Sequence, residues 1–229
     1  MPLAAWARMQ KLLASAVVVT VTSSAAAASP EVAPSMTLSV GSHLGHSNHP
    51  SDGGLAGGLH VGAEVQLWWL ILGGTLGVDA YPSDGAPVGA TTSAAHLGLG
   101  APLYRTSAGH VLEVRGAVEI GRHTYSSSGK DSEFLGGTTT YVGATRKLGF
   151  AGARGGLSYT AVNFDRGGSG LVFALEVLGR SDRDTVDLPY VKTHCGGLFN
   201  SGCSTSMGTA TAGGQELSLV ASCGLVFGR

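Results

Sequence analysis

Residues 216–227 read ELSLVASCGLVF, a stretch in which every odd position carries an apolar side chain. Glu216, Ser218, Ser222 and Gly224 occupy four of the even positions between them. Successive side chains of a β-strand point to opposite faces, so this stretch is predicted to be a strand with one apolar face. The opposite face therefore carries mainly small or polar residues.

The same alternation with a period of two occurs in seven earlier segments, and no helical period competes with it. Turn-forming residues such as 82–85 (PSDG) separate neighbouring segments. The chain is therefore predicted to form eight strands. The seven earlier segments lie at residues 36–44, 59–66, 70–81, 95–103, 112–120, 151–159 and 171–177.

The composition favours a barrel in a membrane over a water-soluble sheet. Glycine supplies 37 of 229 residues and charged residues only 13%, and the net charge of −1 offers no basic field for nucleic acid. The second face of each segment is glycine, small or singly charged, whereas the outer face of a sandwich would accept Lys, Glu and Asp freely. We predict an all-β fold, a transmembrane antiparallel up-and-down β-barrel, because an apolar outside and a polar inside suit a bilayer. A soluble secreted β-sandwich or ligand-binding barrel is the alternative.

The first residues have the order of a secretory signal. Arg8 and Lys11 precede an apolar run at residues 12–22, and small residues follow up to Ala28. The sequence therefore predicts a signal peptide at residues 1–28, a short segment at 29–34, and the barrel at 35–229.

Two long connections are expected in the barrel, at residues 126–147 and 182–213. Residues 138–145 (TTTYVGAT) are interpreted as a strand-like extension within the first of them. Bacterial single-chain barrels normally have an even number of strands, so eight is favoured and ten is the alternative.

The terminal segment also carries a family resemblance. Its alternation closes on the aromatic residue Phe227, which resembles the C-terminal signature of bacterial outer-membrane β-barrel proteins, although Gly228 and Arg229 follow. The resemblance implies a small eight-stranded barrel in the outer membrane after signal-peptide cleavage. It also implies outer-membrane lipid and the barrel assembly machinery as partners, with Phe227 as the assembly signal.

Charged residues on the inward faces are expected to form a polar network, because an eight-stranded barrel has room inside only for its own side chains. Six acids against two arginines leave some acids to bind water, to pair with histidine or to be protonated. The residues are Glu64, Asp79, Glu113, Arg115, Glu119, Arg154, Glu176 and Glu216.

Four histidines share the inward faces: His43, His60, His96 and His123. Hairpin counting places His43 roughly across from His60, and His96 between Asp79 and Glu119. With those carboxylates the histidines are candidate ligands of Zn²⁺ or a similar divalent metal, or a charge switch near pH 6. The competing interpretation is that each histidine only satisfies an acid and that no cofactor is bound.

The long second connection contains Cys195 and Cys203, which in an exported protein predict a local disulfide. No nucleophile elbow, phosphate loop or zinc-protease helix is found. We therefore expect a protein that is not an enzyme, with a structural or surface-interaction role through its loops and an unknown extracellular partner. A narrow pore or transporter for small solutes is the alternative.

Overall fold

The computed structural model describes most of the chain, and the predicted signal peptide at residues 1–28 lies outside the described residues. The described residues are 34–48, 54–81, 86–107, 109–132, 137–161, 169–196 and 202–228, and they form twelve strands. The strands are β1 (Ser35–Asn48), β2 (Gly54–Leu67), β3 (Leu70–Tyr81), β4 (Val88–Arg105), β5 (Val111–Ser126), β6 (Gly129–Ser132), β7 (Thr138–Gly143), β8 (Thr145–Ala161), β9 (Gly170–Asp182), β10 (Val186–Cys195), β11 (Cys203–Ala212) and β12 (Gln215–Phe227).

Eight of these strands form a closed antiparallel barrel in the order β1-β12-β9-β8-β5-β4-β3-β2. The ring closes where β1 pairs with β12, from Met36 opposite Phe227 to Asn48 opposite Gln215. The predicted eight-stranded up-and-down barrel is confirmed. A closed ring excludes the two separate sheets of a sandwich, and the barrel does not contain ten strands.

The two ends of the barrel differ in their connections. At one end, called the terminal end, β1 begins and β12 finishes, and the link from β2 to β3 is only Trp68 and Trp69. Trp68 has a φ of 57°, a left-handed conformation that a short turn requires and that glycine adopts more easily. At the other end, called the loop end, two connections are long enough to contain further strands.

The outside of the barrel is apolar. The strands of the barrel are 12 to 18 residues long, which exceeds the 9–11 residues that a tilted strand needs to cross a bilayer. No helix in the described part of the chain is long and apolar enough to cross a membrane. Exposed apolar side chains occur on all eight strands and include Leu38, Val61, Leu76, Leu97, Ile120, Leu157, Phe173 and Leu219.

The long connections fold into a second sheet, which we call the loop sheet. It has the order β11-β10-β7-β6, and β7 is the predicted extension near residues 138–145. The expectation that the remainder of both connections would be loop is wrong. Irregular segments of that length leave many backbone groups unpaired, and pairing β10 with β7 satisfies those groups from both connections.

Candidate functional site

Glycine makes room for charge inside the narrow barrel. A Cβ on Gly73 would lie 2.5 Å from His96 Nε2 and 2.7 Å from the carbonyl oxygen of Ala63. A Cβ on Gly100 would lie 2.5 Å from Glu113 Oε1. Large polar side chains therefore lie flat against the bare backbone of a neighbouring strand, which is how an eight-stranded interior holds so many of them.

The centre of the terminal half is Glu64. Arg115 and Arg154 each donate a hydrogen bond to its carboxylate, and His96 Nε2 lies 3.0 Å from Glu64 Oε1. These side chains are at most 11% exposed. One acid thus binds two permanent cations in a site with little water, where charge-assisted hydrogen bonds are strong.

Two more acids complete this half. Glu176 Oε2 lies 3.8 Å from Arg154 Nε. Glu113 accepts hydrogen bonds from Gln66 Nε2 at 2.5 Å and from Ser158 Oγ at 3.5 Å. We call the following set the terminal cluster. It consists of Glu64, His96, Glu113, Arg115, Arg154 and Glu176.

Closer to the loop end, His43 lies between two acids. Its Nε2 atom is 3.5 Å from Asp79 Oδ1 and 3.4 Å from Glu216 Oε1. Asp79 also accepts a hydrogen bond from Thr92. Both acids and His43 are buried, and the imidazole ring lies between the two carboxylates.

Hydroxyl groups support Glu216 in the same region. Ser218 Oγ donates to Glu216 Oε1 at 2.5 Å, and the Tyr81 hydroxyl donates to Glu216 Oε2 at 3.4 Å. His60 is near this group, with its ring centroid 6.4 Å from that of His43. Neutral donors and histidines thus take the place that arginines have in the terminal cluster.

Arg180 supplies an arginine to the loop-end half. Its Nε atom donates to Glu119 Oε1 at 2.6 Å, and its guanidinium lies 5.1 Å from the centroid of the Phe150 ring. Arg180 is not among the inward charges predicted from the sequence. The inward parity of β9 places residues 176, 178 and 180 on one face, but the apolar alternation used to identify the strand ends at residue 177.

The acid nearest the loop end is Asp182, which sequence analysis also missed. His123 Nδ1 lies 2.9 Å from Asp182 Oδ1, and the Tyr125 hydroxyl donates to Asp182 Oδ2 at 2.7 Å. The His123 ring stacks on Phe150 with centroids 4.3 Å apart. We call the following set the loop-end cluster. It consists of His43, His60, Asp79, Glu119, His123, Arg180, Asp182 and Glu216.

The six candidate metal ligands are divided between these groups. His96 is opposite Glu119 in the β4–β5 pairing, as predicted, but their side chains bind Glu64 and Arg180 instead. Asp79 is opposite Ala90, not His96, so that predicted neighbour is wrong. His43 is opposite Gly58, two residues from His60.

Within the described ranges, no group of three or more His, Cys, Asp or Glu side chains has the arrangement of a metal site. Metal binding by His43, His60, His96, His123, Asp79 and Glu119 stays a prediction. Between the two clusters is a cavity of about 20 Å³, enough for about one water molecule. His43, Thr75 and Glu119 line it, and each has a buried polar atom without a hydrogen-bond partner among the described residues.

An apolar core closes the loop end above the charges. Leu188 of β10 is 0% exposed and packs with Tyr81 and Tyr125 of the barrel wall. The backbone N–H of Ala144 donates to the carbonyl of Pro189 at 2.9 Å, which ties the start of β8 to β10. The loop sheet is therefore packed onto the barrel. The other members of this core are Ala56, Val88, Ala90, Leu148, Ala210 and Ala212.

The far end of the β10–β11 hairpin is closed by the predicted disulfide, Cys195–Cys203. Tyr141 of β7 and Tyr190 of β10 meet edge to face with centroids 5.9 Å apart, and Thr139 Oγ1 lies 3.0 Å from His194 Nδ1. These contacts link the two long connections into one unit.

No protein-family model and no curated protein matches the chain. Among solved structures, it is similar to a major outer membrane protein from Thermus thermophilus, at 12% identity and a TM-score of 0.35, over 84% of this chain and 99% of that one. It is also similar to the outer membrane protease OmpT from Escherichia coli, at 9% identity and a TM-score of 0.28, over 88% of this chain and 98% of that one. The chain has the fold of an outer-membrane β-barrel. Its closed antiparallel ring, apolar outside and charged inside carry that assignment.

Proposed function

We propose that the protein is a non-catalytic barrel that makes contacts outside the cell through its loop sheet. It lies in the bacterial outer membrane, to which it is exported with cleavage of its signal peptide. The observation that carries the proposal is the contrast between a filled interior and an elaborated loop end. The barrel contains two clusters of paired charges, whereas the two longest connections are folded into a disulfide-closed sheet.

The filled interior argues against the alternative of a narrow pore. Glu64, Arg115 and Arg154 meet across the lumen, and Arg180 reaches Glu119 from another strand. The cavity beside them is about 20 Å³. An ion would have to break several charge-assisted hydrogen bonds to pass, at a cost of about 1.5–3 kcal/mol for each bond.

The loop sheet supplies the surface for a partner. β11 is at the edge of the sheet and, among the described strands, pairs with β10 alone. Cys203–Ala212 contains no charged residue and no proline, and Met207 is 86% exposed. Proteins usually protect an edge of this length, so an open one suits the addition of an extended strand from a partner.

The assembly machinery is proposed as a second partner through β12. Phe227 is 40% exposed on the outside of the barrel and pairs with Met36 in the closing seam. Its side chain is therefore accessible to another protein before the seam forms. Phe227→Ala is expected to reduce the amount of assembled protein in the outer membrane, with Val226→Ala, which changes a buried neighbour, as the comparison.

The first test is conductance in planar bilayers. We expect the refolded protein to give no regular single-channel steps while keeping a boiling-dependent shift in gel mobility that reports a closed barrel. Regular steps would replace the proposal with the pore.

The second test locates the loop sheet in intact cells. Cys223 is exposed on the membrane-facing side, so the background is Cys223→Ser. Met207→Cys in this background is expected to react with a membrane-impermeant maleimide, because the side chain would face the medium. The matched control is Leu225→Cys, which lies on the apolar outside and is expected to stay unlabelled. If neither cysteine is labelled in the assembled protein, the proposal that the loop sheet is extracellular is contradicted.

A further inference from the structure

Four cations lie at the loop end of the barrel, and three of them, Arg122, Lys147 and Arg183, have the parity of its outer face. Arg122 is on β5, Arg146 and Lys147 are on β8, and Arg183 directly follows β9. All four are exposed. None of them forms an ion pair with a residue that the structure describes.

Three of these cations surround Gly149. Arg122 is directly opposite Gly149 in the β5–β8 pairing, and Lys147 is two residues away on the same face of β8. The backbone N–H of Arg183 donates to the Gly149 carbonyl at 2.9 Å, and Arg183 Nε lies 3.7 Å from where a Cβ on Gly149 would be. Arg122 and Arg183 flank Gly149 from the two strands beside β8 and are about 10 Å apart, and Lys147 is a diagonal neighbour of both, so their long side chains can contact one anion between them.

This basic patch borders the apolar outside of the barrel. Ile120 precedes Arg122 by two residues on the same face of β5 and is 69% exposed. Ala151 follows Gly149 by two residues on β8 and is also exposed. In a bilayer the patch would therefore lie at the interface between the hydrocarbon core and the headgroups, which is the depth of the lipid phosphates.

We propose that Arg122, Lys147 and Arg183 bind the phosphate of an anionic lipid headgroup in the leaflet next to the loop sheet. The inference rests on the proposed function, because it requires the barrel to be in a bilayer. Guanidinium groups bind phosphate oxygens through paired hydrogen bonds and lysine adds a point charge, so the three side chains match one phosphate. The nearest exposed acid along the chain, Asp184, accepts a hydrogen bond from the Thr185 N–H and forms no ion pair with Arg183.

The test counts bound lipids by native mass spectrometry of the full chain in neutral detergent, during titration with phosphatidylglycerol. We expect one tightly held lipid per barrel for the natural sequence. Arg122→Gln, Lys147→Gln and Arg183→Gln together are expected to weaken its retention by roughly a hundredfold, since each cation near a membrane surface contributes about a fivefold effect. Equal retention by the natural and triple-variant proteins would overturn the proposal.

A matched variant distinguishes lipid binding by the patch from a general effect of the protein's net charge. Arg105→Gln, Lys130→Gln and Lys192→Gln remove the same three charges from exposed or partly exposed positions elsewhere. We expect this variant to hold phosphatidylglycerol as the natural protein does. An equal loss in both triple variants would show general attraction and would overturn the site. A boiling-dependent mobility shift verifies that each variant is folded.

Two further arms identify the source of the phosphate. Phosphatidylcholine, whose headgroup has no net charge, is expected to be held no more tightly by the natural protein than by the triple variant. Inorganic phosphate at the same concentration is expected to leave phosphatidylglycerol bound, and displacement would reassign the patch to a soluble anion. If the barrel is closed and gives no conductance steps in bilayers but binds no lipid, only this inference fails. If the barrel conducts ions, the proposed function fails.

Discussion

The two halves of the barrel interior surround their buried acids with different side chains. The terminal cluster holds three acids with two arginines and one histidine, whereas the loop-end cluster holds four acids with one arginine and three histidines. Arginine remains charged at every physiological pH, whereas the imidazole ring of histidine is a much weaker base. The terminal half therefore pairs its acids mainly with permanent cations, and the loop-end half surrounds its acids mainly with imidazole rings and hydroxyl donors.

The largest effect is expected at the acid shared by the terminal cluster. Glu64→Gln would leave Arg115 and Arg154 buried without their common carboxylate, and breaking a buried pair costs about 3–5 kcal/mol. We expect a corresponding loss of unfolding free energy in urea, measured in detergent micelles by gel mobility. Asp187→Asn, at an exposed position of β10, is the control and should change stability by less than about 0.5 kcal/mol. A similar small value for Glu64→Gln would mean that the terminal cluster is hydrated.

A smaller and more local effect is expected at the boundary with the loop sheet. Asp182→Asn weakens the hydrogen bonds to His123 and Tyr125, which are worth about 1.5–3 kcal/mol when one partner is charged. Amide hydrogen exchange should rise in β10 and β11 more than in the barrel strands. If exchange rises uniformly, the loop sheet and the barrel unfold as one unit.

A modest effect is expected at His43. In His43→Gln, Asp79 keeps the Thr92 hydroxyl and Glu216 keeps Ser218, so neither acid is left alone. We expect a loss of about 1 kcal/mol. Urea midpoints measured in the same way for His43→Gln and Glu64→Gln compare the two halves of the interior directly. Equal losses of unfolding free energy would contradict the difference between the two clusters.

The smallest effect on the barrel is expected from the disulfide. Cys195→Ser with Cys203→Ser opens a short loop at the far end of the hairpin, away from the barrel wall. The barrel midpoint should stay within about 0.5 kcal/mol of the natural protein, while exchange in β10 and β11 increases. A shift of the barrel midpoint would show that the hairpin supports the ring.

The barrel could be predicted from the sequence because the alternation of apolar and polar residues is a local pattern that each strand shows by itself. The polarity of the second face then distinguished a barrel in a membrane from a sandwich. Inward charges such as Glu64 and Arg154 were found for the same reason. What each charge binds depends on strands far apart in sequence, and alternation alone does not encode those contacts.

The misplaced neighbour Asp79 shows where counting along a hairpin fails. Pairing Asp79 with His96 would centre the β3–β4 turn between residues 87 and 88, but Tyr81 is opposite Val88, which centres it between residues 84 and 85. The shorter turn shifts β4 by six residues. The loop sheet escaped sequence analysis for a related reason, since β7 and β10 come from different connections.

The seam between β1 and β12 has a consequence for how the protein is made. Met36 meets Phe227, so the first and last strands of the barrel must find each other before any ring exists. Until then the sheet has two open edges and an apolar face, which in water would pair with other copies of the chain. The ring therefore cannot close until β12, its last strand, has been synthesised. Closure is a late step in folding, and the apolar outside of the closed ring is suited to a covering of lipid.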